Sequence, residues 1–289
     1  MDQNINYLNS EEAARILGVN VSSIKRWTDS GKLECILTEG GHRKFQLSHL
    51  SKFLENHKKQ SSKAHVFPIE NDADLQISHH ILKRDLNFLI EHSYVLALNG
   101  KRSELQKVLN GLYLSQYPLY HIYDHLLTPV LHHLGEMWET GTILVIEEHI
   151  ASQGIRDCIN RLQGIIHLPK SEGPAAVCIN LANELHDIAL KMVENILEFK
   201  GFRTYFSGQL TPALKLDELL DRIKPQRLYL ASTVISDPAR EQVEVDRIFE
   251  ICQTRNIEVY SGGQGWDFLQ YDHPAVKARL NTFEEVFKI

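Results

Sequence analysis

From Ala175 onward, short β-rich apolar runs alternate with stretches of helical period, and this alternation restricts the fold more than any other feature of the chain. Ala175–Leu181 (AAVCINL), Gly201–Phe206, Arg227–Ser232 (RLYLAS) and Glu258–Ser261 read as strands. Asp187–Lys200, Leu216–Ile223 and Arg240–Arg255, which lie between them, repeat apolar residues at helical spacing. Strands joined through helices run parallel, because each crossover returns the chain to the same end of the sheet. Residues 175–289 are therefore expected to form an α/β, doubly wound parallel sheet of Rossmann-like type. Such sheets bind ligands outside the carboxyl ends of their strands. Here those ends are Asn183–His186, Ser232–Val234 and Gly262–Gly265. The glycine-rich loop follows a late strand and is no dinucleotide fingerprint. A lone His186 would be an ordinary surface or capping histidine; its company with the two other loops makes it a candidate.

Residues 75–166 read as four helices, Ile81–Leu98, Leu105–Leu114, Leu119–Trp138 and Ile146–Ile166, broken at Asn99-Gly100, Pro118 and Gly141. Short connections favour antiparallel neighbours, hence a four-helix bundle. Its last two helices carry His132-His133-Leu134-Gly135-Glu136-Met137-Trp138-Glu139 and then Glu147-Glu148-His149. Imidazoles and carboxylates on facing helices can hold metal, but a di-iron bundle needs a Glu-x-x-His element from each of two helices. These two helices contain none. The plain alternative is a polar rim at one end of the bundle.

Residues 1–56 are dense with local signals. Asn9-Ser10-Glu11-Glu12 opens a helix with acids in its first turn, Ala13, Ala14 and Leu17 give it an apolar face, and Gly18 ends it. Asn20 or Ser22 can cap a second helix that runs through Trp27 to Gly31. Helix, glycine turn and helix make a helix-turn-helix. Glu39-Gly40-Gly41-His42 then permits a tight hairpin between Leu33–Leu37 and Lys44–Leu47, and Ser48 is expected to cap a last short helix. In such a head the second helix enters the major groove, which places Ser22, Ser23, Lys25 and Arg26 near base edges and phosphates. His42, Arg43 and Lys44 on the hairpin reach phosphate. A small helical domain with a solvated basic face is the bland reading.

Two polar stretches, residues 57–74 and 167–174, read as linkers between these three parts. Net charge is −6, yet the first 60 residues carry nine Lys/Arg against seven Asp/Glu and are net positive. A mildly basic head on an acidic body suits a protein that touches nucleic acid at one end. The four cysteines form no Cys-x-x-Cys pair, which argues against structural zinc and a disulfide framework. No apolar run approaches the roughly 20 residues that cross a bilayer, and the first residues lack a signal-peptide pattern, so no membrane partner and a cytoplasmic location are expected. No nucleophile–base pair suggests hydrolysis, and the chain is not expected to be an enzyme.

The string GVNVSSIKRWTDSGKL…TEGGHRKF resembles the MerR and excisionase group of winged helix-turn-helix domains. Glu184-Leu185-His186-Asp187-Ile188-Ala189, Ser232-Thr233-Val234 and Gly262-Gly263 resemble the cobalamin pattern Asp/Glu-x-His-x-x-Gly…Ser-x-Leu…Gly-Gly. Trp138, nine residues, then Glu148-His149 resembles the Trp-x9-Glu-His motif of the CarH/LitR family, photoreceptor-like MerR-type regulators in which head, bundle and Rossmann-like domain follow in this order. The resemblance implies a repressor controlled by a cobalamin, adenosylcobalamin first, with double-stranded operator DNA as its partner. It implies a homo-oligomer, dimer or tetramer, that light takes apart. It makes His186 the lower axial ligand to cobalt, with Glu184 or Asp187 fixing the imidazole. Ser232, Val234, Gly262 and Gly263 cradle the nucleotide tail, and Trp138, Glu139, Glu148 and His149 stand over the upper face. The sequence departs from the pattern at Ala189 (Gly in the family), at Val234 (Leu) and at Glu139, where light-sensing members have histidine. A carboxylate is a harder partner for cobalt than imidazole. Two other readings stay open: a regulator whose pocket takes another tetrapyrrole or no cofactor, and a corrinoid carrier of methyl transfer, which has no use for a helix-turn-helix.

Overall fold

The computed structural model describes residues 7–56, 72–169, 173–181, 184–210 and 215–289. It divides into two compact units, Met1–His167 and Leu168–Ile289. Most of the first expected linker (57–71), residues 170–172 of the second, and Asn183 lie outside the described residues.

The first unit begins with the helix-turn-helix. Helix α1 (Ser10–Leu17) starts where Asn9 Oδ1 accepts the Glu11 and Glu12 N–H groups, at 2.9 and 3.0 Å, and Glu12 returns a carboxylate to Asn9 N. This reciprocal cap satisfies donors that the first turn leaves open. Gly18, at φ 62°, turns the chain into α2 (Val21–Asp29). Asn20 holds the cap position there with extended backbone, but its side chain makes no capping bond. Strands β1 (Ile36–Leu37) and β2 (Arg43–Lys44) pair antiparallel, and α3 (Leu47–Asn56) follows. Ser48 therefore sits inside α3 rather than at its cap; the helix starts one residue earlier than its expected capping residue. Ala13, Ala14, Leu17, Ile24, Leu33, Phe45, Leu50 and Phe53 form the core, which Leu114 of the helical region completes. Trp27 packs against Phe53 with ring centroids 4.6 Å apart and the rings tilted by 35°, a packing role.

The helical region contains more breaks than periodicity predicts. Its expected first helix is two, α4 (Asp72–Lys83) and α5 (Leu86–Leu98), because Arg84 adopts φ 58° and Asp85 caps α5 by accepting from Phe88 N. Helix α4 also takes the last residues of the stretch read as a linker; Asp74 is buried and receives Lys107 Nζ at 3.0 Å. After α6 (Arg102–Leu114) come α7 (Leu119–Ile122), a π turn at Tyr123–Leu127 and α8 (Thr128–Glu139). Pro129 lacks the N–H that would continue an α ladder, so the turn before it widens. Helix α9 (Val145–Gln163) closes the bundle against α5, α6 and α8.

The second unit is one five-stranded parallel sheet in the order β4-β3-β5-β6-β7. Its strands are β3 (Ala175–Asn180), β4 (Arg203–Phe206), β5 (Arg227–Ala231), β6 (Glu258–Gly262) and β7 (Val276–Leu280). The helices between them are α10 (Ile188–Phe199), α11 (Leu216–Ile223) and α12 (Pro238–Gln253), with α13 (Phe283–Lys288) last. Leu216, Leu220, Val245, Ile248 and Phe249 pack against Val177, Ile179, Leu228, Leu230 and Val259 on one face of the sheet. Each strand carries a run of buried residues except the edges: β4 alternates and β7 (VKARL) is only partly buried. An edge strand with two cations offers no apolar run, which is why β7 has no clear sequence signal.

Candidate functional site

The chain leaves β3, crosses α10 to β4 on one side, then returns past β3 to β5 on the other. The crevice between the carboxyl ends of β3 and β5 is thus the switch point of the sheet, where α/β folds bind ligands. Glu184 and His186 stand in the loop after β3, and Ser232-Thr233-Val234 follow β5.

Glu184 joins these two loops. Its side chain is 2% exposed. One carboxylate oxygen, Oε1, accepts the His186 backbone N–H at 2.7 Å and lies 2.6 Å from His186 Nδ1. The other, Oε2, accepts from Thr233 N and from Val234 N, the latter at 3.1 Å. Burial pushes the carboxyl upward, but the His186 side chain and the N–H donors of Thr233, His186 and Val234 outweigh it, so the pKa falls below the ordinary value. An ionised Glu184 makes Nδ1 the protonated nitrogen and turns the lone pair to Nε2, on the far side of the ring. The His186 side chain is 59% exposed while its partner is buried. This is the arrangement of an oriented, solvent-facing imidazole able to ligate a transition metal.

The glycines have an internal reason. Gly263 adopts φ 101°, and a Cβ there would stand 2.1 Å from the Ser232 carbonyl oxygen. A Cβ at Gly265 would meet Ser232 Oγ at 2.5 Å, and one at Gly262 would meet Leu280 O at 3.2 Å. The loops after β5 and β6 therefore touch backbone to backbone, which only glycine allows. Ser232 is fully buried, and its hydroxyl has no partner among the described residues. Val234 contributes its N–H to Glu184 while its side chain is exposed, so that contact is indifferent to valine or leucine. Ala189 is exposed on the first turn of α10.

In the first unit, Trp138 and Glu139 end α8, and Glu148 and His149 lie near the start of α9 across the intervening turn. Trp138 is 46% exposed, and Leu144, Val145, Ile146 and Ile150 are exposed as well. Glu148 binds on both sides: Oε2 is 2.6 Å from His149 Nδ1, and Oε1 accepts from Ser152 Oγ at 2.5 Å. Among the described residues, no group of three or more His, Cys, Asp or Glu could hold a metal ion.

On the head, Ser22, Lys25 and Arg26 are exposed along α2 and Ser23 is half-buried. His42 is exposed at the hairpin tip, while Arg43 and Lys44 are half-buried in β2. Arg43 is not simply presented to solvent: its Nη2 lies 2.5 Å from Asp29 Oδ1 at the end of α2. That pair ties the hairpin to the second helix.

Two residues at the switch point, Thr233 and Gln209, carry no signal in the sequence. Thr233 acts through its backbone N–H, and Gln209 bonds across to the His186 loop. Neither bond leaves a mark in residue spacing.

Two family models match parts of the first unit. Residues 7–58 match the model of a helix-turn-helix domain and residues 89–163 that of a B12 binding domain. The chain is 30% identical over 159 residues to the HTH-type transcriptional repressor CarH of Myxococcus xanthus. That match covers 55% of this chain and 50% of the relative, so the chain spans half the length of the curated relative it matches. The monomethylamine corrinoid protein of Methanosarcina barkeri shares the fold, with a TM-score of 0.57 at 15% identity, over 70% of this chain and 96% of that one. The chain thus carries a helix-turn-helix match and a B12-binding match, and about half of it is similar to the CarH repressor.

Proposed function

We propose that this chain is a DNA-binding transcriptional repressor controlled by a bound cobalamin, with adenosylcobalamin as the natural form. The observation that carries the reading is the Glu184–His186 pair at the switch point of the sheet: a buried carboxylate that fixes the tautomer of an exposed imidazole. His186 would hold the cobalt of the cofactor through Nε2, the ring nitrogen turned away from Glu184. The residues fit the cofactor. Ser232 offers a buried hydroxyl without a protein partner among the described residues at the same carboxyl end of the sheet, where a nucleotide tail seeks donors and acceptors. Val234, Gly262 and Gly263 lie at that same end. On the first unit, Trp138, Glu139, Glu148 and His149 would be the residues that contact the cofactor, Trp138 through its half-exposed ring. When bound, the cofactor supplies a light-labile cobalt–carbon bond.

The head binds operator DNA through Ser22, Ser23, Lys25 and Arg26 on α2 and His42, Arg43 and Lys44 on the hairpin, and a homo-oligomer, dimer or tetramer, gains affinity by engaging linked half-sites. A regulator of this kind works in the cytoplasm and is no enzyme. The corrinoid-carrier reading is the weaker one, because the helix-turn-helix has no part in methyl transfer.

The test is the absorption spectrum of the full chain after incubation with adenosylcobalamin in darkness and then after illumination, for wild type and His186→Ala. Wild type should retain the cofactor with a histidine-ligated spectrum, and His186→Ala should lose that spectrum and most of the affinity. A His186→Ala protein with the wild-type spectrum would overturn the assignment.

A further inference from the structure

The loop that carries His186 is held from two directions. Glu184 reaches toward the β5 side through Thr233 and Val234. On the other side, the segment after β4 reaches back toward it. Gln209 Nε2 donates to the Leu185 carbonyl at 2.6 Å and to Asp187 Oδ1 at 3.4 Å. Leu210 N donates to the Glu184 carbonyl at 3.1 Å, and Asn180 Nδ2 donates to the Gly208 carbonyl at 3.3 Å. Gly208 at φ 80° and Leu210 at φ 50° turn the chain so that this return is made.

The two partners of the Gln209 amide are the residues immediately before and after His186. The histidine side chain is largely exposed, and its Nδ1 is held by Glu184 of the same loop. We propose that Gln209 is a positioning residue for His186, clamping the flanking residues so that the imidazole stays on Glu184 with Nε2 presented outward. The proposal rests on the reading of His186 as the cobalt ligand and adds a residue to it. A ligand group ordered before binding loses less freedom when it binds, which is the advantage such a clamp confers. The position needs a donor. A carboxylate there would face both the Leu185 carbonyl oxygen and the Asp187 carboxylate. A methionine would fill the same length and donate nothing.

The experiment uses the full chain with Gln209→Met, Gln209→Glu and Gln209→Arg, the last keeping a long donor side chain. Two quantities are measured. One is the ring ¹⁵N shifts of His186 in cofactor-free protein, which report the tautomer, with amide exchange of residues 184–187. The other is the dissociation constant for hydroxocobalamin, with its spectrum. Gln209→Met should shift His186 toward a mixture of tautomers, speed exchange in the loop, and weaken hydroxocobalamin about five- to ten-fold, the scale of one lost hydrogen bond. Gln209→Glu should do more, and Gln209→Arg should restore the wild-type values. Side chains that act only by filling space would leave Met and Glu like wild type. If Met and Glu keep the wild-type ring shifts and exchange, Gln209 does not position His186. The proposal is equally overturned if they change the ring but leave hydroxocobalamin affinity untouched. Failure of wild type to bind hydroxocobalamin would instead remove the ligand reading of His186, while the ring shifts would still decide the clamp.

Discussion

Glu184 keeps its charge in a buried place because four protein donors converge on two oxygens, and this has a consequence in acid. Its folded pKa is lowered, so the stability gained from its ionisation is complete above the ordinary glutamate range, about pH 4.3, and is lost as pH falls through the folded value. Glu184→Gln should therefore cost about 1–3 kcal/mol near neutrality, where buried N–H donors lose a charged acceptor. The gap between wild type and variant should narrow below about pH 4.3, as urea titrations at a series of pH values would record. A gap that stayed constant into acid would mean that the carboxylate charge contributes nothing. The glycines make a second residue-scale contrast. Gly263→Ala combines a φ of 101° with a Cβ 2.1 Å from a carbonyl oxygen, so it should cost roughly 2–4 kcal/mol. Gly100→Ala has a φ of 63° but open space around the Cβ, and should cost only about 1 kcal/mol. Equal unfolding midpoints for the two variants would show that the loops after β5 and β6 can part freely.

At the scale of elements, the head presents its charges on two pieces, α2 and the hairpin, and a salt bridge couples them. Lys25 is exposed on α2, whereas Arg43 is already paired with Asp29. A cation that releases a counterion from DNA lowers the salt slope of binding by about one when removed. Lys25→Ala should show that loss. Arg43→Ala should show less, since Asp29 neutralises part of its charge, while still weakening binding through a loosened hairpin. Gel-shift titrations at several salt concentrations, on duplexes enriched for binding from random sequence, separate the two effects. Equal loss of slope in both variants would mean that the Arg43–Asp29 pair opens on DNA. Elements of the helical region also bear on the head. Leu114 at the end of α6 fills the head's core, so the head is not an independent bead within its unit.

For the whole molecule, the expectation is a dark, cofactor-bound oligomer and a smaller species after illumination. On the proposed reading, Glu139, which stands where the light-sensing members have histidine, would set the stability of the lit form. A carboxylate cannot supply a second imidazole, so the wild-type photoproduct should hold water or hydroxide and exchange readily with fresh cofactor. Glu139→His should install a stable bis-histidine species. Size-exclusion chromatography and spectra of both proteins, dark and lit, compare these outcomes. A bis-histidine spectrum in wild type, unaffected by changes at Glu139, would assign the upper ligand to another residue.

Period and punctuation in the sequence determined the elements: helical spacing in the bundle, apolar runs in β3, β5 and β6, and the turn glycines of the head, because these signals are local. They also determined that His186 falls at a strand end. The sequence could not show that Arg84 would break a helix, that Pro129 would widen a turn, or that VKARL would add an edge strand, since packing elsewhere decides each. Nor could spacing show what holds His186 and its partner Glu184 in place. Its tautomer is set by Glu184, which is held in turn by the backbone of Thr233 and Val234, 49 and 50 positions along the chain. Its loop is braced by Gln209 from the opposite side. Those bonds exist because the order β4-β3-β5 sets three strand ends side by side, and strand order is a property of the packed sheet alone.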